Sequence, residues 1–414
     1  MIFGVQRSPE YIVFGNGQRQ SAPRYAKQFG SVALIVTDER MRKSADISEL
    51  VQGLNAQGVT SSVFHGVLPE LPIECLDAGV DQGLKLSADV VIGIGGGSCI
   101  DAAKVIALLL RHGGKPADYY GEFKIPGPVV PIIAIPTTSG TGSEATPVAV
   151  VGDHERAVKV GIASPYLVPV VAICDPELTY TCPATLTAVS GADALTHAIE
   201  AYTNTPRDGS SDLAHEHVFV GKNVLSDHHA LLAIRHISTS LERAYRDVTD
   251  RNARESLMLG SLAAGLAFGV AGTAAAHAIQ YPVGALTNTP HGAGVAVMLP
   301  YVMQFNAPYC GSALAEIAIA MGVSEPGASI SENAQAAIEH TARLMKAIGI
   351  PETLESLGLS RSDVEWVASQ ALSATRLVKN NPRPLDLAGM RMLVKAAFDG
   401  DRPALQDTQQ TKAS

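Results

Sequence analysis

Short, uninterrupted apolar runs alternate with helical stretches through the first part of the chain. Residues 31–38 (SVALIVTD), 88–94 (ADVVIGI) and 129–135 (VVPIIAI) each read as a strand. None has a polar residue at every second position, so these strands are expected to be buried on both faces. Apolar strands with helices between them predict a parallel α/β sheet. Near Pro183 the pattern changes. The chain becomes rich in Ala and Leu at helical spacing, as in residues 231–244, 254–268, 331–347 and 363–372. The expected division is an α/β domain over 1–185 and an all-helical domain over 186–414. The polar tail from Gln406 is expected to fray.

Composition narrows the class. The chain has 414 residues, 46% hydrophobic and 17% charged, which suits a well-buried protein of two domains. A net charge of −9 leaves no basic stripe for nucleic acid. Five cysteines without CxxC spacing read as buried thiols in a reducing compartment. The first nine residues lack the charged start and apolar run of a signal peptide. The most apolar region, 261–283, is interrupted by Thr273, His277 and Gln280 and reads as a buried helix, not a membrane span. A cytosolic location is expected.

Two polar loops follow strands. Gly95, Gly96, Gly97 and Ser98 precede a helix, where glycines allow close backbone approach and the helix start offers N–H groups to an anion. Gly93-x-Gly95 matches only part of the dinucleotide fingerprint, because the third glycine is missing. Thr137, Thr138 and Ser139 follow the next strand in the same way. Two such loops at the carboxyl ends of parallel strands predict one nucleotide crevice. Asp38 closes an earlier strand, where its carboxylate suits a ribose hydroxyl and would repel a 2′-phosphate. A helix N-cap is the competing reading.

Asp193 and His197 stand four apart in an Ala-rich stretch, so they project from one helix face. An Asp in such surroundings needs a partner or a metal to offset its desolvation. His277 lies in an equally apolar run, and His291 follows Thr289-Pro290 in a loop that can aim one ring. Three imidazoles and a carboxylate suit a divalent transition metal. His215-x-His217 in a polar loop and His228-His229 at a solvated helix start are left out of this set.

Four motifs in order carry a resemblance to the iron-containing (group III) alcohol dehydrogenase family over almost the whole chain. They are GGGSCIDAAK from Gly95, PTTSGTGSEAT from Pro136, DPELTYTCPATLTAVSGADALTHAIEAY from Asp175 and HAIQYPVGALTNTPHG from His277. The resemblance implies a dehydroquinate synthase-like arrangement: an N-terminal dinucleotide-binding α/β domain, a C-terminal helical metal-binding domain and an active site in the cleft between them. It implies Asp193, His197, His277 and His291 as metal ligands. It also implies Gly95, Gly96, Gly97, Ser98, Asp101, Thr137, Thr138 and Ser143 as cofactor-loop positions. Lys159 is similar to the lysine near nicotinamide and ribose, Phe268 to an aromatic lining the substrate pocket, and Asp38 to the position that favours NAD over NADP. The implied activity is a metal-dependent, NAD(H)-linked alcohol dehydrogenase or aldehyde reductase acting on a small primary alcohol or aldehyde. Fe²⁺, or another divalent ion such as Zn²⁺, would serve as a Lewis acid while hydride passes between the carbinol carbon and the nicotinamide. A homo-oligomer, dimer or larger, is expected, with no nucleic-acid or membrane partner.

Two departures stand out. Many members carry a further His four residues after the third ligand, close to substrate. Tyr281 stands there, and a phenol with an ordinary pKa of about 10 is a poor proton acceptor at neutral pH. The stretch 205–225 is extra relative to many members and is expected either to border the active-site mouth or to decorate the surface. Neighbouring readings within the superfamily are a maleylacetate reductase-like enzyme, a glycerol-type polyol dehydrogenase and a dehydroquinate synthase-like lyase. The complete Asp/His set favours the alcohol dehydrogenase. A non-catalytic NAD- or metal-binding regulator would have lost a ligand or the glycine loop, and this chain keeps both.

Overall fold

The computed structural model describes residues 2–153 and 158–406, so the tail expected to fray lies outside the described residues from 407 onward. The chain divides into two compact units. One comprises Gln6–Cys182 with Ser210–Phe219, and the other comprises Met1–Val5, Pro183–Gly209 and Val220–Ser414. The main break therefore lies beside residue 185, while two short segments group with the unit that the sequence pattern does not suggest.

The strands, all in the first unit, are β1 (Tyr11–Phe14), β2 (Val32–Val36), β3 (Thr60–Phe64), β4 (Val90–Gly95), β5 (Gly121–Glu122), β6 (Ile132–Pro136), β7 (Val148–Asp153), β8 (Val158–Ala163) and β9 (Val171–Cys174). Six of them form a parallel sheet in the order β1-β9-β6-β4-β2-β3. Strands β4, β6 and β9 are buried along their whole length, which is why they read as continuous apolar runs. The strand order reverses between β2 and β4, with β3 on one side and β6 and β9 on the other. Open parallel sheets bind ligands at such a switch, outside the carboxyl ends of the strands. Strands β5, β8 and β7 form a second, smaller sheet in which β7 and β8 run antiparallel.

Helices α1 (Ala22–Phe29), α2 (Glu39–Arg42), α3 (Ala45–Ala56), α4 (Leu76–Leu86) and α5 (Gly97–His112) accompany these strands. Then come α6 (Ala184–Thr203), α7 (Leu213–Glu216), α8 (Val224–Arg246), α9 (Arg251–Ala271), α10 (Ala275–Thr287), α11 (His291–Met321), α12 (Ile330–Ala347), α13 (Val364–Ala371), α14 (Thr375–Asn380) and α15 (Leu387–Asp399). All of this second group except α7 belong to the second unit.

The segment 210–219 is fastened within the first unit. The Arg7 guanidinium donates to the carbonyls of Ala214, His217 and Val218. The Val218 N–H donates to Glu122 at 2.7 Å, and Val218 and Phe219 are buried with Ala163. The apolar end of the extra stretch, Val218 and Phe219, is therefore core, while much of the rest is exposed.

In the second unit α6 packs against α8 and α9. The single buried helix expected over 261–283 is instead two, α9 and α10, bent by 99°. Gly272 makes the break with φ 80° and ψ 179°, a conformation that only glycine adopts readily. The buried carbonyls freed at the break are satisfied by Asn204, which donates to Ala271 and Gly272, and by Asn380, which donates to Thr273. Among the described residues no single helix is long and apolar enough to cross a membrane. All five cysteines are free thiols.

Candidate metal centre and cofactor loops

Helix α6 carries Asp193, His197 and Glu200 at intervals of four and three residues, which places them on one face. His277 lies in the first turn of α10 and His291 opens α11. Gly292 lets the start of α11 reach α6, since a Cβ there would meet the Val189 carbonyl at 2.4 Å and Asp193 Cβ at 3.1 Å. Three imidazoles then converge on one carboxylate. Asp193 Oδ1 lies 3.6 Å from His197 Nε2, 3.7 Å from His277 Nε2 and 3.8 Å from His291 Nε2. Asp193, His197 and His277 are buried, and His291 is partly exposed.

This arrangement fits a cation. His277 Nε2 is buried and has no hydrogen-bond partner, a costly state for a polar atom unless something binds it. Donor atoms of Asp193, His277 and His291 that could hold a cation lie within 4.8 Å of one another. One divalent ion at about 2.0–2.2 Å from each donor accounts for such spacing. His197 Nε2 lies 3.6 Å from the same Asp193 oxygen, beside this group of three.

Glu200 was not anticipated from the sequence, although its position three residues after His197 in an apolar helix was the available signal. Its carboxylate lies 2.6 Å from His277 Nδ1 and accepts from the N–H groups of Ala274 and Ala276. Burial is the largest single influence on the His277 imidazole and lowers it, but the Glu200 charge, the Glu200 hydrogen bond and the Asp193 charge together outweigh it and the net shift is upward. Two aromatic rings support the other imidazoles. Phe268 stacks on His197 with centroids 4.1 Å apart, and Tyr281 stacks on His291 at 6.2 Å. Removal from water raises the Tyr281 phenol, with Arg376 on α14 pulling it the other way. Arg376 is a second residue that sequence reasoning missed, since nothing in its local pattern ties it to α10.

The cofactor-loop candidates come together in the first unit. Gly95 is the last residue of β4 and pairs in register with Pro136 of β6, so the glycine and threonine loops leave adjacent strand ends. Gly95 has φ 151°, and a Cβ there would meet Cys99 Sγ at 2.5 Å. A Cβ on Gly97 would meet the Thr141 side chain at 2.5 Å, and Gly96 lies beside Thr138. Thr137 N–H donates to the Gly95 carbonyl. Ser98 sits in the first turn of α5, which begins at Gly97 with no side-chain cap. Asp101 is turned inward: it accepts from Ser143 Oγ at 2.5 Å and Val150 N–H at 2.9 Å, which ties α5 to the threonine loop. Asp38 is an N-cap, its Oδ1 accepting the Met41 N–H at 2.7 Å, while Oδ2 lies 4.0 Å from Cys99 Sγ at the start of α5. Lys159 on β8 forms an ion pair with Glu70. His215 and His217 belong to the first unit, and the convergent set belongs to the second.

Comparison with known proteins agrees with this arrangement. The iron-containing alcohol dehydrogenase family matches residues 9–176, and the Fe-containing alcohol dehydrogenase family C-terminal region matches 187–398. The chain is 36% identical to long-chain-alcohol dehydrogenase 1 of Geobacillus thermodenitrificans over 384 residues, covering 92% of this chain and 93% of that protein. It is 33% identical to the NAD-dependent methanol dehydrogenase of Bacillus methanolicus, covering 94% and 98%. The crystal structure of a 1,3-propanediol oxidoreductase superposes with a TM-score of 0.89 at 32% identity, covering 96% of this chain and all of that one. A parallel six-stranded sheet, a helical second unit and these matches over both lead to one conclusion: the chain belongs to the iron-containing alcohol dehydrogenase family and is an NAD-linked alcohol dehydrogenase.

Proposed function

We propose that Asp193, His197, His277 and His291 hold one divalent ion, Fe²⁺ or Zn²⁺, and that the enzyme interconverts a small primary alcohol and its aldehyde. The observation that carries this reading is the approach of three imidazole Nε2 atoms to within 3.6–3.8 Å of Asp193 Oδ1. A bound ion would supply Lewis acidity toward an alcohol or carbonyl oxygen, with NAD⁺ to accept the hydride in oxidation or NADH to donate it in reduction. The chain's own groups do the rest. Asp193 and the three rings fix the donor set, with Phe268 and Tyr281 stacked on two of the rings to hold their planes. Tyr281 keeps its proton on Oη through the neutral range, so it can donate a hydrogen bond but does not accept the substrate proton.

For the cofactor, the reading takes residues 1–185 as the NAD-binding domain and 186–414 as the metal-binding domain. The N–H groups at the start of α5 and the hydroxyls of Ser98, Thr137 and Thr138 suit the phosphates, with Gly95, Gly96 and Gly97 allowing close approach. Asp101 and Ser143 brace the loop, while Asp38 would receive the ribose and Lys159 would serve the nicotinamide end. Phe268 borders the alcohol. We take the working protein to be a cytosolic homo-oligomer. The test is metal content and turnover of His277→Ala against a panel of short alcohols and aldehydes, with His215→Ala and His217→Ala as controls. Loss of both in the first variant alone is expected, and full turnover without bound metal would overturn the reading.

A further inference from the structure

We infer that Glu200 is a positioning residue for His277 and through it sets how tightly the metal is held. The inference rests on the metal-centre reading above. Glu200 is buried in α6, one turn beyond His197, and accepts three N–H bonds from the start of α10. Ala274 N–H and Ala276 N–H donate to it at 2.8 and 2.7 Å. These two bonds cap α10, whose N-cap residue Ala274 has no side chain able to do so. The third contact is surplus to capping. His277 Nδ1 lies 2.6 Å from Glu200 Oε2, and a carboxylate can only accept, so the ring carries its proton on Nδ1. The Nε2 lone pair is left facing Asp193 Oδ1 at 3.7 Å, on the side where His197 and His291 also point their Nε2 atoms.

Thus one carboxylate does two jobs at one helix start. It anchors the backbone that carries His277, and it chooses which ring nitrogen is available to a cation. A carboxylate behind a ligating imidazole also makes that imidazole a stronger donor, and loss of such a partner lowers metal affinity by roughly 10- to 100-fold. In Glu200→Gln the amide has one oxygen for three donors. An NH₂ group facing the ring would favour the opposite tautomer, with the proton on the nitrogen that the ion needs.

The experiment uses the full-length chain stripped of metal. Wild type, Glu200→Gln and Glu200→Asp are titrated with Zn²⁺ in competition with a chromophoric chelator, and the apo Tm of each is measured beside it. Wild type should bind one ion, and Glu200→Gln should bind roughly 10- to 100-fold more weakly. Glu200→Asp should recover part of that loss, because it remains an anionic acceptor. If Glu200→Gln lowers the apo Tm but binds Zn²⁺ as tightly as wild type, Glu200 only caps α10 and the inference is overturned. If wild type itself binds no ion, the metal-centre reading fails first, and this inference with it. Should the variants not fold, ¹⁵N spectra of histidine-labelled apo wild type decide instead. Recorded above the pH at which the ring loses its second proton, a neutral His277 protonated on Nδ1 supports the inference, and a neutral ring protonated on Nε2 overturns it.

Discussion

The His197 imidazole lies nearly parallel to the Phe268 ring, with centroids 4.1 Å apart and planes 16° from coplanar. His277 stacks on the same imidazole at 4.8 Å and 21°. Phe268 is buried, so it holds the His197 ring whatever it also offers to a substrate. Phe268→Ala should therefore destabilise the protein by about 3–5 kcal/mol, the usual cost of removing a buried phenyl ring. It should also weaken metal binding, which calorimetry and chelator competition would report. Unchanged metal affinity would mean that the ring contributes packing only.

Asp38 fills the N-cap role weighed from the sequence, and the ribose role is the one to test. One oxygen caps α2 through Met41 N–H, and the other lies by Cys99 at the start of α5. Asp38→Gly should narrow or reverse a preference for NAD(H) over NADP(H). It should cost only a few tenths of a kcal/mol, since glycine is tolerated as an N-cap. Comparing kcat/KM for both cofactors decides the point, and a wild-type preference for NADP(H) would defeat it.

Tyr281 occupies the position where a titrating imidazole is often found. Its phenol is raised by removal from water and keeps its proton, so any rise of alcohol oxidation toward alkaline pH should show no imidazole titration from position 281. Tyr281→His should add such a dependence or alter the substrate range while metal and cofactor remain bound. If kcat/KM is unchanged across pH and across a substrate panel, position 281 only packs against His291.

Glu144, in the threonine loop, is buried, and burial pushes its carboxyl from 4.5 up to about 7, with Lys104 opposing. Lys104 is itself buried, pushed down to about 8, and donates to the carbonyls of Thr146 and Val148. A raised carboxyl means that the folded protein holds the proton longer than the unfolded chain. Glu144 thus contributes stability in full below pH 4.5 and loses it as pH rises to about 7. Glu144→Gln should match wild type at the acidic end and exceed it above pH 7 in chemical denaturation. A constant difference across the range would show that Glu144 is not titrating there.

Much of this was legible in the sequence, for identifiable reasons. Strands β2, β4 and β6 are apolar on both faces and so stand out as runs, whereas β3 (TSSVF) is partly exposed and polar and gives no such signal. Strand β1 lies at the sheet edge with Tyr11, Ile12 and Phe14 exposed, so its apolar residues do not mark a core. The pair Asp193 and His197 was visible because i,i+4 spacing is local. Glu200 and Arg376 were not, since their roles depend on where α10 and α14 pack. The break at Gly272 was hidden by an apolar run that continues through it. Attachment of 210–219 to the first unit turns on Arg7 and Glu122, some 100–200 residues away in sequence.

The most direct measurement is anomalous diffraction at the metal edge from crystals of the iron- or zinc-loaded enzyme. The account predicts one strong peak within bonding distance, about 2.0–2.2 Å, of an Asp193 carboxylate oxygen and of Nε2 of His197, His277 and His291. A peak elsewhere, or one that leaves any of these four outside the coordination sphere, would contradict it.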